Sequence, residues 1–116
     1  MNYHGRQFAG IENSAGGEVS GQTVFHYEQD GSVLRARYSG GEVVSGVLIG
    51  KVYANGELEF RYNHVNEDWS LRGGKCYSVP QVLEDGRIRL HEQWQWQDES
   101  SEEGTSIVEE LKSDMV

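Results

Sequence analysis

Long apolar runs are missing from this 116-residue chain, and nothing in it reaches the roughly 20 apolar residues that a membrane helix needs. Cysteine is nearly absent: Cys76 is the only one, which excludes an intramolecular disulfide. A single proline, Pro80, excludes Pro-rich linkers. Basic residues are scarce, ten Lys and Arg against nineteen Asp and Glu, for a net charge of −9. That balance argues against nonspecific nucleic-acid binding, which needs a basic surface. Hydrophobic residues make up only 36%, which suits a sheet with one wet face. Residues 1–6 lead into no apolar segment of the kind a signal peptide carries. The expectation is one cytoplasmic domain over residues 1–116 with no nucleic-acid or membrane partner.

The acidity is unevenly spread. Residues 98–114 hold Asp98, Glu99, Glu102, Glu103, Glu109, Glu110 and Asp114 against one base, Lys112. Residues 98–116 therefore read as an acidic C-terminal segment, in the simplest case a solvated tail that aids solubility.

What the chain has in plenty is turn chemistry in a repeating arrangement. Three times a Gly-Gly pair opens an extended run and an Asp-Gly or Asn-Gly pair turns it: Gly16-Gly17 to Asp30-Gly31, Gly40-Gly41 to Asn55-Gly56, and Gly73-Gly74 to Asp85-Gly86. Such pairs between alternating apolar residues are the strongest short-range hairpin signal. The turns divide the chain into eight extended segments: Tyr3–Asn13, Val19–Glu28, Val33–Ser39, Glu42–Ala54, Glu57–Val65, Leu71–Leu83, Arg87–Gln97 and Thr105–Leu111. Leu58, Phe60 and Tyr62 alternate with Glu59, Arg61 and Asn63, the period of a strand. The last segment reads as a strand that closes the sheet, with a short helix as the alternative, because Glu, Leu and Lys favour one. Pro80 cannot donate to a ladder and predicts a bulge or bend. Eight sequential antiparallel strands predict an all-β, single-domain up-and-down meander. They form a closed or nearly closed barrel of the architecture seen in lipocalins and avidins.

A meander sorts its connections between two ends. Gln29-Asp30-Gly31, Asn55-Gly56 and Glu84-Asp85-Gly86 are tight and share one end. Ser14–Glu18, Gly40-Gly41, Asn66–Ser70 and Asp98–Gly104 are mostly longer and share the other. The looser end is where a mouth belongs, and barrel mouths are common ligand sites.

The seventh segment points Ile88, Leu90, Glu92, Trp94 and Trp96 to one face. A carboxylate among apolar side chains needs a partner or stays protonated. Glu92 is thus a ligand-anchoring candidate, or else it pairs with an arginine or a tyrosine hydroxyl for structural reasons. Tyr38, Tyr62 and His64 fall on the matching face and join Trp94 and Trp96 as a predicted aromatic rim, with ordinary core filling as the alternative. Arg35, Arg37, Glu59, Arg61, Arg89 and His91 fall on the opposite, solvated face. The remaining glycines are accounted for by turns and bulges.

No catalytic residues are predicted. The four histidines have no metal-ligand spacing, Cys76 reads as a buried inert thiol, and no nucleophile elbow, P-loop or dinucleotide fingerprint is present; no metal or cofactor is expected.

Several stretches resemble a family of small bacterial proteins: Thr23-Val24-Phe25-His26-Tyr27, Tyr38-Ser39-Gly40-Gly41, Phe60-Arg61-Tyr62 and, most specifically, Arg87-Ile88-Arg89-Leu90-His91-Glu92 with Trp94-Gln95-Trp96. Its members often bear the name "N-acetylglutamate synthase". That resemblance implies a bacterial cytosolic domain and, through the name, an acyltransferase. The residues point elsewhere: Arg37-Tyr38-Ser39-Gly40-Gly41-Glu42 starts like a pyrophosphate-binding turn but puts a carboxylate where phosphates would sit. The leading expectation is a barrel that binds a small apolar or amphipathic ligand at its looser end through Tyr38, Tyr62, His64, Glu92, Trp94 and Trp96. The alternative is a solid-core module that binds a protein, and the acyltransferase is a third reading.

Overall fold

A computed structural model describes residues 1–112 of the chain. Eight strands run in order: β1 (Gln7–Asn13), β2 (Val24–Asp30), β3 (Val33–Gly40), β4 (Val43–Val52), β5 (Leu58–Asn66), β6 (Leu71–Val82), β7 (Ile88–Trp96) and β8 (Glu103–Glu110). Each pairs antiparallel with its sequence neighbour, and β8 pairs back onto β1 to close the barrel. Closure gives every strand a partner on both sides over at least part of its length.

Alternation sets the inside and the outside. Along β7, Ile88, Leu90, Glu92, Trp94 and Trp96 are buried and face the axis. On the outer face Arg35, Arg37, Arg61 and His91 are exposed, as expected. The last segment is strand, not helix, and so the acidic stretch is not a free tail. Within β8, Glu109 accepts hydrogen bonds from Arg87 and Arg89 across the outer face. Of the acidic segment, 113–116 lie outside the described residues.

The turns follow their chemistry. The hairpin between β4 and β5 turns through Gly56, whose φ is 87°, with its N–H donated to the Tyr53 carbonyl. Gly86 repeats this between β6 and β7, also at 87°, onto the Leu83 carbonyl. These are three-residue loops that end on a left-handed glycine, which glycine adopts without steric cost. The preceding Asn55 and Asp85 fix them by accepting the N–H of Glu57 and Arg87.

Three expectations need correction. Residues 3–6 do not extend the first strand. Gly5 takes φ 80° and turns the chain, which lays Tyr3 across the tight end as a plug. Tyr3 is fully buried beside Phe8 and Tyr27 and donates its hydroxyl to the Gly56 carbonyl at 2.5 Å. Residues 19–23 likewise belong to the first connection rather than to β2. Pro80 causes no register shift and stays opposite Leu90. The β5 ladder ends at Leu58 and Ser78, so Pro80 lies beyond a strand on that side.

Candidate functional site

Inward glycines make room for large rings at the loose end. Gly46 lies between Tyr38 and His64 in neighbouring strands, Gly74 between Tyr62 and Trp96, and Gly104 opposite Trp94. A methyl group on Gly46 would stand 2.5 Å from the Tyr38 ring and 2.8 Å from the His64 Cβ. These glycines serve packing rather than turns or bulges, contrary to the sequence expectation. Alternating small and large inward residues is how a narrow barrel accommodates aromatic side chains.

All six predicted site residues line one cavity of about 40 Å³, together with Phe25, Leu48, Phe60 and Cys76 among others. That volume holds roughly three waters. The barrel is neither solid nor widely open. The cavity reaches Glu92 and Trp94, yet it is far below the roughly 300 Å³ at which drug-sized pockets begin.

Glu92 sits on the cavity wall, 8% exposed. Its partners are neither arginine nor tyrosine, as expected from the sequence, but two serines. Ser78 on β6 and Ser106 on β8 lie directly opposite it and donate to its two oxygens at 2.9 and 3.0 Å. Burial pushes its carboxyl up to about 7, against the smaller pull of the two serine hydroxyls. Burial also raises the Cys76 thiol, and the neighbouring Glu92 adds to it, so the thiol is inert.

The mouth is organised by a residue that sequence reasoning missed. Glu18, in the first connection, accepts from His64 Nε2 at 2.8 Å, Asn66 Nδ2 at 3.1 Å and Arg72 at 3.1 Å. Burial alone would raise its carboxyl; the three donors outweigh that and hold it below the usual carboxylate range. His64 Nδ1 accepts from the Tyr38 hydroxyl at 2.8 Å on its other side. Arg72 also reaches Asp98 and lies 3.8 Å over the Trp96 ring. Both indoles are tied to the same end of the chain: Trp94 donates to Asn13, and Trp96 to the Gly16 carbonyl. The segment from Gly17 to Val19 therefore lies over the cavity as a cover.

Glu18 gave no local signal, because its partners come from β5 and β6. Ser78 and Ser106 could have been found, since each occupies an inward position of its strand. Replacing Glu18 with alanine is expected to free the cover. Acrylamide quenching of Trp94 and Trp96, measured in a Trp69→Phe background, should rise about twofold, with a stability loss of about 1–3 kcal/mol. Unchanged quenching would show that the cover holds without this carboxylate.

Among the described residues, no group of three or more His, Cys, Asp or Glu is placed to hold a metal ion. The family model described as "Avidin-like protein" matches residues 1–111. No curated protein and no solved structure matches the chain. The family match agrees with the closed antiparallel barrel and lends no support to the acetylglutamate synthase name.

Proposed function

Because the chain belongs to the avidin-like family, we propose that its barrel binds a small apolar or amphipathic ligand at the end covered by the first connection. Barrels of this family typically bind small ligands. One observation carries the reading: at the loose end an apolar cavity reaches a buried carboxylate, under a short cover held by the polar contacts of Glu18 and the packing of Val19. Tyr38, Tyr62, Trp94 and Trp96 supply contact area, Glu92 anchors a polar group, and His64 positions the cover through Glu18. A ligand of more than a few heavy atoms enters by displacing Gly17–Val19.

The test is a thermal-shift screen of metabolites, acetyl-CoA and glutamate included, followed by tryptophan fluorescence for any hit. A ligand at a hundred times its Kd stabilises the fold by about 2.7 kcal/mol, a Tm rise on the order of 10 °C for a domain of this size. The rise should be lost when Trp94 is replaced by alanine. A screen without a single shift would sink the proposal and leave the protein-interaction module. For that reading the relevant observation is Trp69, 79% exposed beside the mouth, with Leu71 at 76%.

A further inference from the structure

We infer that the ligand of this cavity is a small organic cation, a protonated amine or quaternary ammonium on an apolar body, rather than a neutral or anionic molecule. The inference rests on the proposed binding site and specifies its chemistry.

Three observations converge. Aromatic side chains wall the cavity, with Tyr38, Tyr62, Trp94 and Trp96 around a space that an ammonium head enters when the Gly17–Val19 cover moves aside. Ring faces attract cations, and more strongly where water is excluded. The protein already seats one cation this way, Arg72 over Trp96.

The second observation is Glu92. Its carboxylate accepts from Ser78 and Ser106, with the Cys76 thiol also against it, which leaves part of its lone-pair capacity for a ligand donor. Among the described residues no basic side chain pairs with it, so an incoming cation supplies the missing counter-charge. An anion would face it across a low-dielectric space.

The third is the charge of the mouth. The four connections at that end, residues 14–23, 41–42, 67–70 and 97–102, carry Glu18, Glu42, Glu67, Asp68, Asp98, Glu99 and Glu102, and no lysine or arginine. The connections at the closed end mix Glu57, Glu84 and Asp85 with Arg87, and Arg6 lies nearby. Arg72 offers an anion little, because Glu18 and Asp98 already share it. An entrance lined by one sign of charge concentrates counter-ions and speeds their capture.

The experiment uses three probes of matched shape: choline, 3,3-dimethyl-1-butanol as its neutral counterpart, and 3,3-dimethylbutanoate as the anion. Each is titrated into the full chain and followed by tryptophan fluorescence and calorimetry. Choline is expected to bind at least tenfold more tightly than the alcohol, and the acid more weakly still. Glu92→Gln should weaken choline about tenfold and change the alcohol less than twofold, with its fold checked by thermal unfolding. Because that variant touches the interior, a second one leaves the core intact. Glu67→Gln, Asp68→Asn and Glu99→Gln together, all exposed, should slow choline association severalfold and flatten its salt dependence. If the alcohol or the acid binds as tightly as choline, the barrel is a binding protein and the cation inference falls. If none of the three binds while the thermal-shift screen yields a hit, the cation inference falls alone; if the screen is also blank, the proposed binding site falls and the inference with it.

Discussion

Replacing Tyr3 with alanine is expected to cost the barrel about 3–5 kcal/mol, the range for removing a fully buried aromatic side chain. Its ring fills the tight end against Phe8 and Tyr27, and no other part of the N-terminal segment is buried there. Its hydroxyl donates to the Gly56 carbonyl inside the protein, so truncation also leaves a buried acceptor without a partner. Burial pushes the phenol up to about 12, so it stays a neutral donor through the working range. Tyr3→Phe keeps the plug and loses only the hydrogen bond, and should cost about 1–2 kcal/mol. Urea unfolding of both variants separates the two contributions. Equal losses would mean that the hydroxyl, and not the ring, holds the end shut. Against a total stability of roughly 5–15 kcal/mol, the alanine variant should lose a large share of its margin and melt at a clearly lower temperature.

The second large effect concerns pH. Glu92 titrates near 4.5 in an unfolded chain and at about 7 in the folded one. Below about pH 4.5 both states hold the proton and the group contributes no slope. Between 4.5 and 7 the folded state binds the proton more tightly, so stability falls as pH rises through that window. Each pKa unit corresponds to 1.36 kcal/mol, so the loss totals on the order of 3 kcal/mol by the time the folded carboxyl has ionised. The serines support either form, because a hydroxyl can donate to the carboxylate or accept from the acid. Glu92→Gln should fold, lack this slope, and exceed the parent in stability above pH 7 by a similar amount. Urea midpoints from pH 4 to pH 9 give the answer; parallel curves for the two proteins would refute the account. Stability given up in this way by an internal carboxylate fits a group retained for binding.

Much of this was legible in the residues. Eight segments, the strand period and the unequal ends follow from turn chemistry and alternation, and those fixed which side chains of β7 share the interior. Each is a local property, readable within a few residues. The misread parts depend on contacts between distant segments. Tyr3 looks like the start of a strand because it precedes one, and only Gly5 hints that the chain turns there. Val19 looks like a strand start, but Asn13 binds its carbonyl and keeps it in the first connection. Glu18 has three donors from two strands, and no local pattern points to them. Gly46 and Gly74 resemble turn residues until register sets them beside rings. The family match reaches from residue 1 to residue 111, and so includes the N-terminal plug as well as the strands.

The seam between β1 and β8 has a consequence for how the chain is born. Phe8 has its partner in Glu110, at the far end of the sequence. While ribosomes still hold the last strand, β1 and β7 both present open ladders, and the hydrophobic interior has no final wall. Contacts of such long sequence separation make folding slow, typically milliseconds to seconds. The emerging polypeptide therefore passes through a stage in which its most aggregation-prone surfaces are bare, and β8, with the charged Glu109 and Glu110, ends that stage.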